Sequence, residues 1–207
     1  MLTVSEYLET EARRWLADWK EADAEIIPYL QVTGLALRAH LDRLTDPPDA
    51  LLKEIDAVNA RVYDSINNGV YKAGFATAQD VYEQEVRQLF DSLDELEALL
   101  GRQAYLVGNQ VTEADWRLFT TLIRFDAVYH GHFKCNLKRL VDHPNLWSYT
   151  RELYQMPGVA DTIHFDHIKQ HYYRSHHTIN PNGIVPLGPV LDLDHPPSRN
   201  LQGAGAL

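Results

Sequence analysis

Val111-Thr112-Glu113-Ala114-Asp115-Trp116-Arg117-Leu118-Phe119-Thr120-Thr121-Leu122-Ile123-Arg124-Phe125-Asp126-Ala127-Val128-Tyr129-His130 is the stretch whose pattern decides the fold. Gly108-Asn109 closes whatever precedes it. Thr112 stands at an N-cap position, with Asp115 three residues on. A Thr hydroxyl there accepts the N3 amide proton, and the N3 carboxylate reaches back to the cap's own N–H. Asp115 also sets negative charge at the positive end of the helix. Val111 and Trp116 occupy the N′ and N4 positions, the two ends of a hydrophobic staple. Trp116, Phe119, Ile123 and Ala127 make one apolar stripe; Leu118, Leu122, Phe125 and Val128 make a second. Only a narrow strip with Arg117 and Arg124 is wet. A helix apolar nearly all round belongs in the middle of a bundle.

The flanking sequence supplies the other helices. Thr77 and Asp80 open a segment in which Tyr82, Val86, Leu89, Leu93, Leu96 and Leu100 recur at helical spacing, closed by Gly101. Before it, Leu51, Leu52, Ile55, Val58, Val62 and Ile66 point inward from a helix over about 49–67, and Asn67-Asn68-Gly69 stops it. The short, glycine-interrupted run Val70-Tyr71-Lys72-Ala73-Gly74-Phe75-Ala76 reads as a loop. Residues 3–27 and 34–44 carry two more helical patterns. Downstream, His143-Pro144-Asn145 precedes a helix over 145–155 with Leu146, Tyr149 and Leu153 inward, and a last helix covers roughly 159–174. Five of the ten prolines lie between Pro181 and Pro197, so residues 178–192 are expected to run extended and 195–207 to be disordered. No alternating strand pattern of useful length occurs, so the class is all-α.

Composition narrows the partners. The 207 residues carry a formal net charge of −10, which argues against nucleic acid or an anionic membrane surface as the main partner. No run reaches the roughly 18 apolar residues of a membrane span. Met1-Leu2-Thr3-Val4-Ser5-Glu6 lacks the basic and apolar regions of a signal peptide. A single cysteine, Cys135, excludes an internal disulfide and suits a reducing, cytoplasmic setting.

Histidine spacing raises the question of a metal. His164, His167 and His171 share one face of a helix, with His176 and His177 nearby. Yet there is no HExxH, no paired cysteine and no clear acidic ligand, and surface histidines explain the pattern equally well, so no metal is expected. Cys135 is open to two readings, a nucleophile beside histidines or a buried thiol between Phe133 and Leu137. Tyr71, Tyr129, Tyr172 and Tyr173 sit near loops or helix ends, with His130, Arg174 and Phe133 as company. Such aromatics commonly serve packing, but a phenol can donate to an anion or pass a proton. Neither GxGxxG nor GxxxxGK[ST] occurs, so nucleotide phosphate binding has no support.

Four stretches carry a family resemblance. Asn67 through Thr77 reads NNGVYKAGFAT, and Thr112 through Asn136 reads TEADWRLFTTLIRFDAVYHGHFKCN. His143-Pro144-Asn145-Leu146 is the third, and HIKQHYYRSH from His167 to His176, continuing to Ile179-Asn180-Pro181 and Ile184-Val185-Pro186, is the fourth. In this order they resemble the glutathionyl-hydroquinone reductases, the xi-class glutathione transferases related to the omega class. The resemblance covers about residues 50–190. It implies the helical bundle of a glutathione-transferase C-terminal domain, with Thr112 and Asp115 as its capping pair. It also implies glutathione as co-substrate: a thiolate attacks the sulfur of a glutathionyl-hydroquinone, a mixed disulfide forms, and a second glutathione clears it. Tyr71 and Tyr172 fall where the family has its two active-site tyrosines, whose hydroxyls serve the thiolate and the leaving ring. Phe75, Tyr129, His130, Tyr173 and Arg174 are then expected to bind the substrate. Cys135 lies in a family motif but is not the family's nucleophile.

One departure is large. Family members begin with a thioredoxin-like domain that bears a Cys-Pro motif and most of the glutathione contacts. Residues 1–45 contain no cysteine and match nothing in the family. The expected organisation is therefore an N-terminal helical extension over 1–45, the helical domain over 46–177, and an extended Pro-rich tail over 178–207. Two functions compete. One is the substrate-binding half of a glutathionyl-hydroquinone reductase, inactive without the Cys-bearing domain. The other is a non-catalytic dimerisation or docking module of the same fold. Either way a homodimer is expected.

Overall fold

The computed structural model describes residues 49–199. The helices expected over 3–27 and 34–44 lie outside the described residues. The chain divides into two compact units, one of which includes residues 157–163 and the other residues 49–156 and 164–199. Of the first, the described part is a single 3-10 turn, Ala160–Thr162, closed by the Thr162 hydroxyl donating to the Val159 carbonyl at 2.7 Å. The second unit is helical, with no strand among the described residues.

Helix α1, Asp49–Arg61, runs into a wide π turn, Val62–Asn67. Ile55, Val62 and Ile66 are buried, whereas Leu52 is exposed, contrary to its expected inward place. The π turn swings Asn67 toward the central helix, where its amide donates to the Arg117 carbonyl at 3.2 Å and its side-chain oxygen accepts from Thr121 at 3.0 Å.

The segment expected as a loop is a helix. α2, Gly69–Gly74, starts where the Asn68 carbonyl accepts the amides of Tyr71 and Lys72. The glycines do not break it. Gly74 instead answers a close approach: a Cβ built there would stand 2.3 Å from Cγ of Phe133. Helix α3, Gln79–Leu100, begins one residue later than a cap at Thr77 suggests, with Ala78 in the capping place and Asp80 in the first turn. Val86, Leu89, Leu93, Leu96 and Leu100 form its buried seam, as their spacing requires.

The central helix α4, Glu113–Arg124, carries the capping box. Asp115 is fully buried, and its carboxylate accepts four hydrogen bonds. They come from the Leu106 amide at 2.9 Å, the Thr112 amide at 2.7 Å, the Thr112 hydroxyl at 3.0 Å and the Tyr149 hydroxyl at 2.7 Å. The cap of one helix thus also ties down the preceding loop and a neighbouring helix. Both apolar stripes of α4 are buried throughout. The helix does not run unbroken to His130, however. It widens into a second π turn, Phe125–Tyr129, where the Asp126 carboxylate accepts the amides of Leu140 and Val141.

Helix α5, Pro144–Tyr154, puts proline at its first turn, where the missing N–H costs nothing. Glu97 of α3 receives its first free amides, those of Asn145 at 2.9 Å and Leu146 at 2.7 Å. Leu146, Tyr149 and Leu153 are buried. The last helix, α6, is Phe165–Ser175 rather than 159–174, because Ile163 and His164 are extended and the helical ladder restarts after them.

The tail has neither helix nor strand from 178 to 199. Within the stretch expected to be disordered, residues 195–199 make contacts with helix α5 and its end. The His195 carbonyl accepts from Arg151 and Gln155, and the Ser198 amide donates to the Ser148 hydroxyl at 2.7 Å. Arg199 lies over the Tyr149 ring, pairs with Glu152 and donates to the Ala104 carbonyl at 2.7 Å. Side chains of α5 thus hold this stretch in place of the regular structure that prolines deny it. Residues 200–207 lie outside the described residues. Among the described residues, no helix is long and apolar enough to cross a membrane.

Candidate functional site

Three tyrosine hydroxyls meet at one point. Tyr71 comes from the middle of α2, Tyr129 from the π turn after α4, and Tyr172 from α6. The Tyr71 and Tyr172 oxygens are 2.5 Å apart, and those of Tyr129 and Tyr172 are 2.9 Å apart. Exposure rises along this chain, from 2% at Tyr129 through 7% at Tyr172 to 38% at Tyr71. Burial pushes the phenols of Tyr129 and Tyr172 well above the ordinary tyrosine range, so both stay protonated near neutral pH.

Phe133 is the hub beneath them. Its ring is fully buried, stacked on Tyr129 at 5.6 Å between centroids and edge-on to Tyr71 at 5.3 Å. Phe75 packs on it from the open side, 5.4 Å away and 45% exposed. A tight turn delivers Phe133: the His132 amide donates to the Val128 carbonyl, the Cys135 amide to that of Tyr129, and Lys134 takes a left-handed φ of 58°. The small side of the hub is Gly74, which leaves room for the ring.

A histidine pair closes another side. His132 Nε2 and His176 Nδ1 are 3.0 Å apart, and His176 stacks on Phe133 at 5.6 Å. Burial, then the neighbouring His176, lowers the His132 pKa to about 4. Burial and His171 lower that of His176 as well. At neutral pH one imidazole donates to the other and neither is charged. Tyr173 lies against His132, with ring centroids 4.5 Å apart.

The structure therefore brings together Tyr71, Phe75, Tyr129, Tyr172 and Tyr173. His130 and Arg174 stand apart from the hydroxyl chain. His130 is half-buried with its amide on the Phe125 carbonyl, and Arg174 is exposed on the last turn of α6. His132, Phe133 and His176 were not singled out as site residues by spacing. Their only signal was their place inside HGHFKCN and HYYRSH.

Cys135 is shut off from chemistry. It is fully buried, its sulfur 3.9 Å from the Val70 and Phe133 carbonyls, and burial pushes the thiol up to about 12. A thiol so placed is not an activated nucleophile, which removes that reading. The histidine face does not converge on one point either. His164 and His167 pair with each other, while His171 turns to Tyr172 and His176. Among the described residues, no group of three or more His, Cys, Asp or Glu side chains is placed to hold a metal ion.

A capped central helix thus lies within an all-helical unit and leads into a polar-tipped aromatic cluster. Residues 79–152 match the family described as Glutathione S-transferase, C-terminal domain. The glutathionyl-hydroquinone reductase YqjG of Escherichia coli is 56% identical over 155 residues, 75% of this chain and 47% of that protein. The glutathionyl-hydroquinone reductase PcpF of Sphingobium chlorophenolicum is 55% identical over 146 residues, 70% of this chain and 47% of that one. The glutathione-bound structure of YqjG superposes with a TM-score of 0.72 at 55% identity, covering 75% of this chain and 50% of that one. The chain carries a glutathione S-transferase C-terminal domain and is similar in sequence and fold to xi-class glutathione transferases and glutathionyl-hydroquinone reductases. It spans about half the length of the curated relatives it matches.

Proposed function

We propose that this chain supplies the substrate-binding helical half of a glutathionyl-hydroquinone reductase, with glutathione as co-substrate. The observation that carries the reading is the Tyr71–Tyr172 hydroxyl pair at the edge of an aromatic cluster, 2.5 Å apart and reachable at Tyr71. In the reaction a thiolate attacks the sulfur of the glutathionyl-hydroquinone. An S–S bond forms, the aryl C–S bond breaks, and its electron pair goes to the ring carbon, which takes up a proton. A second glutathione thiolate then releases oxidised glutathione from the mixed disulfide. The chain's own contribution is the proton side and the ring side. Tyr71 donates to the developing charge with the Tyr172 hydroxyl behind it, and Phe75 and Tyr173 flank the aromatic ring. The attacking sulfur comes from a Cys-bearing thioredoxin-like domain, because the sealed Cys135 cannot serve. The chain alone is therefore inactive. It acts in a reducing, cytoplasmic setting and as a homodimer, for which exposed apolar side chains such as Leu137 provide surface.

The test is turnover of a glutathionyl-hydroquinone followed by chromatography. The purified chain alone is expected to give none. The chain mixed with the thioredoxin-like portion of the Escherichia coli relative is expected to release hydroquinone, with Tyr71→Phe lowering kcat by about 10²-fold, the low end for general acid catalysis. Turnover by the chain alone that Cys135→Ser abolishes would overturn the assignment.

A further inference from the structure

The three hydroxyls are not equivalent, and their order has a direction. We infer that Tyr129 is a positioning residue that sets the polarity of the chain, so that protons point from the interior outward and Tyr71 presents its own O–H to the substrate. For its catalytic consequence the inference rests on the proposed reductase function. The polarity itself does not.

Each phenol has one proton and can accept as well as donate. Among the described residues the Tyr129 hydroxyl meets only that of Tyr172. Its ring is enclosed by Phe125, Phe133 and Tyr172 and is 2% exposed. Were the chain polarised inward, Tyr172 would donate to Tyr129, and the Tyr129 proton would be left buried without an acceptor. Leaving a buried donor unsatisfied costs far more than reversing a bond between two like groups. Polarised outward, Tyr129 donates to Tyr172 and Tyr172 donates to Tyr71. The one unclaimed proton is then on Tyr71, which at 38% exposure can give it to water or to a ligand. The burial gradient alone therefore selects the direction.

Titration of Tyr172 runs in the same sense. Burial raises it most, the bond to Tyr129 lowers it, and the bond to Tyr71 raises it. The chemical result is a hydrogen-bond relay behind the exposed phenol. When Tyr71 gives up its proton, the negative charge on its oxygen is met at once by the Tyr172 proton, which Tyr129 polarises in turn. Tyr129, assigned above to substrate binding from its motif, is too deep to touch substrate and acts through Tyr172.

Ring-labelled tyrosine NMR tests this on the full chain without any activity. Scalar coupling between each hydroxyl proton and its own ring carbons identifies the donor, and solvent exchange reports protection. Slowly exchanging hydroxyl protons are expected on Tyr129 and Tyr172, with the Tyr71 proton in fast exchange. Tyr71→Phe removes the acceptor of the Tyr172 proton, which should then exchange faster while the Tyr129 proton stays slow. Slow protons on Tyr71 and Tyr172 in the unaltered chain, or loss of the slow Tyr129 proton in Tyr71→Phe, would overturn the polarity. In the complemented assay, Tyr129→Phe keeps ring volume and is expected to lower kcat about tenfold with KM unchanged, the effect of one lost charge-directed hydrogen bond. An unchanged kcat would overturn the positioning role. Absence of turnover in the unaltered complemented protein, with the slow-proton pattern intact, would instead sink the reductase function and leave the polarity standing.

Discussion

The hydroxyls of Tyr71 and Tyr172 lie 2.5 Å apart although 101 residues separate them in sequence. Two short helices create this meeting, α2 and α6, and both bear on the same buried ring, Phe133. The hydroxyl cluster is thus only as well defined as the seat of that ring.

Gly74→Ala tests the seat. The added Cβ would fall 2.3 Å from Cγ of Phe133, closer than any real contact, and the ring is walled in on its other faces. A loss of about 1–3 kcal/mol is expected from overpacking, read by denaturant titration. Displacement of Phe133 should also break the Tyr71–Tyr172 bond. A variant as stable as the parent would mean the ring has another place to go.

Asp115 should matter more than the cap it completes. Thr112→Ala removes one hydroxyl donor and is expected to cost about 1 kcal/mol, in line with other N-caps. Asp115→Ala strands the Leu106 amide and the Tyr149 hydroxyl as well, so about 3 kcal/mol or more is expected. Equal losses in the two variants, measured by thermal unfolding, would reduce Asp115 to a helix cap.

Cys135 is expected to resist thiol reagents in the native chain and to react once the chain is unfolded. Its burial withholds both access and the thiolate form. Stoichiometric labelling within minutes under native conditions at neutral pH would contradict the seat described for it.

His132 makes stability depend on pH. Unfolded, a histidine takes up its proton near 6.5, while folded His132 does so only near about 4. Between these values the unfolded chain binds more protons. Its contribution is therefore full above about 6.5 and is lost as pH falls toward about 4. His176, lowered by burial and by His171, acts in the same sense. Denaturation midpoints should drop across this window, and His132→Gln should flatten the drop. A midpoint that rises on acidification would reverse the sign.

Much of the fold was legible because its signals are local. The Thr112–Asp115 box, the two stripes of α4 and the leucine seam of α3 each reflect chain geometry within a few turns, where spacing determines which side chains share a face. α2 was misread because Gly74 looks like a breaker when only its neighbours in sequence are seen. Its reason is Phe133, 59 positions on, and no local pattern encodes that approach. The tail followed the same rule. Proline content forecast the lack of regular structure, but the contacts of 195–199 come from Arg151 and Ser148 on α5 and from Gln155 at its end. Tyr71 and Tyr172 could be picked out by resemblance. That Tyr129 stands behind them, and that a histidine pair closes one side, was decided only by the two π turns and the turn at Lys134. Those features rotate side chains off the regular helical period, and a period is all that a sequence by itself can convey.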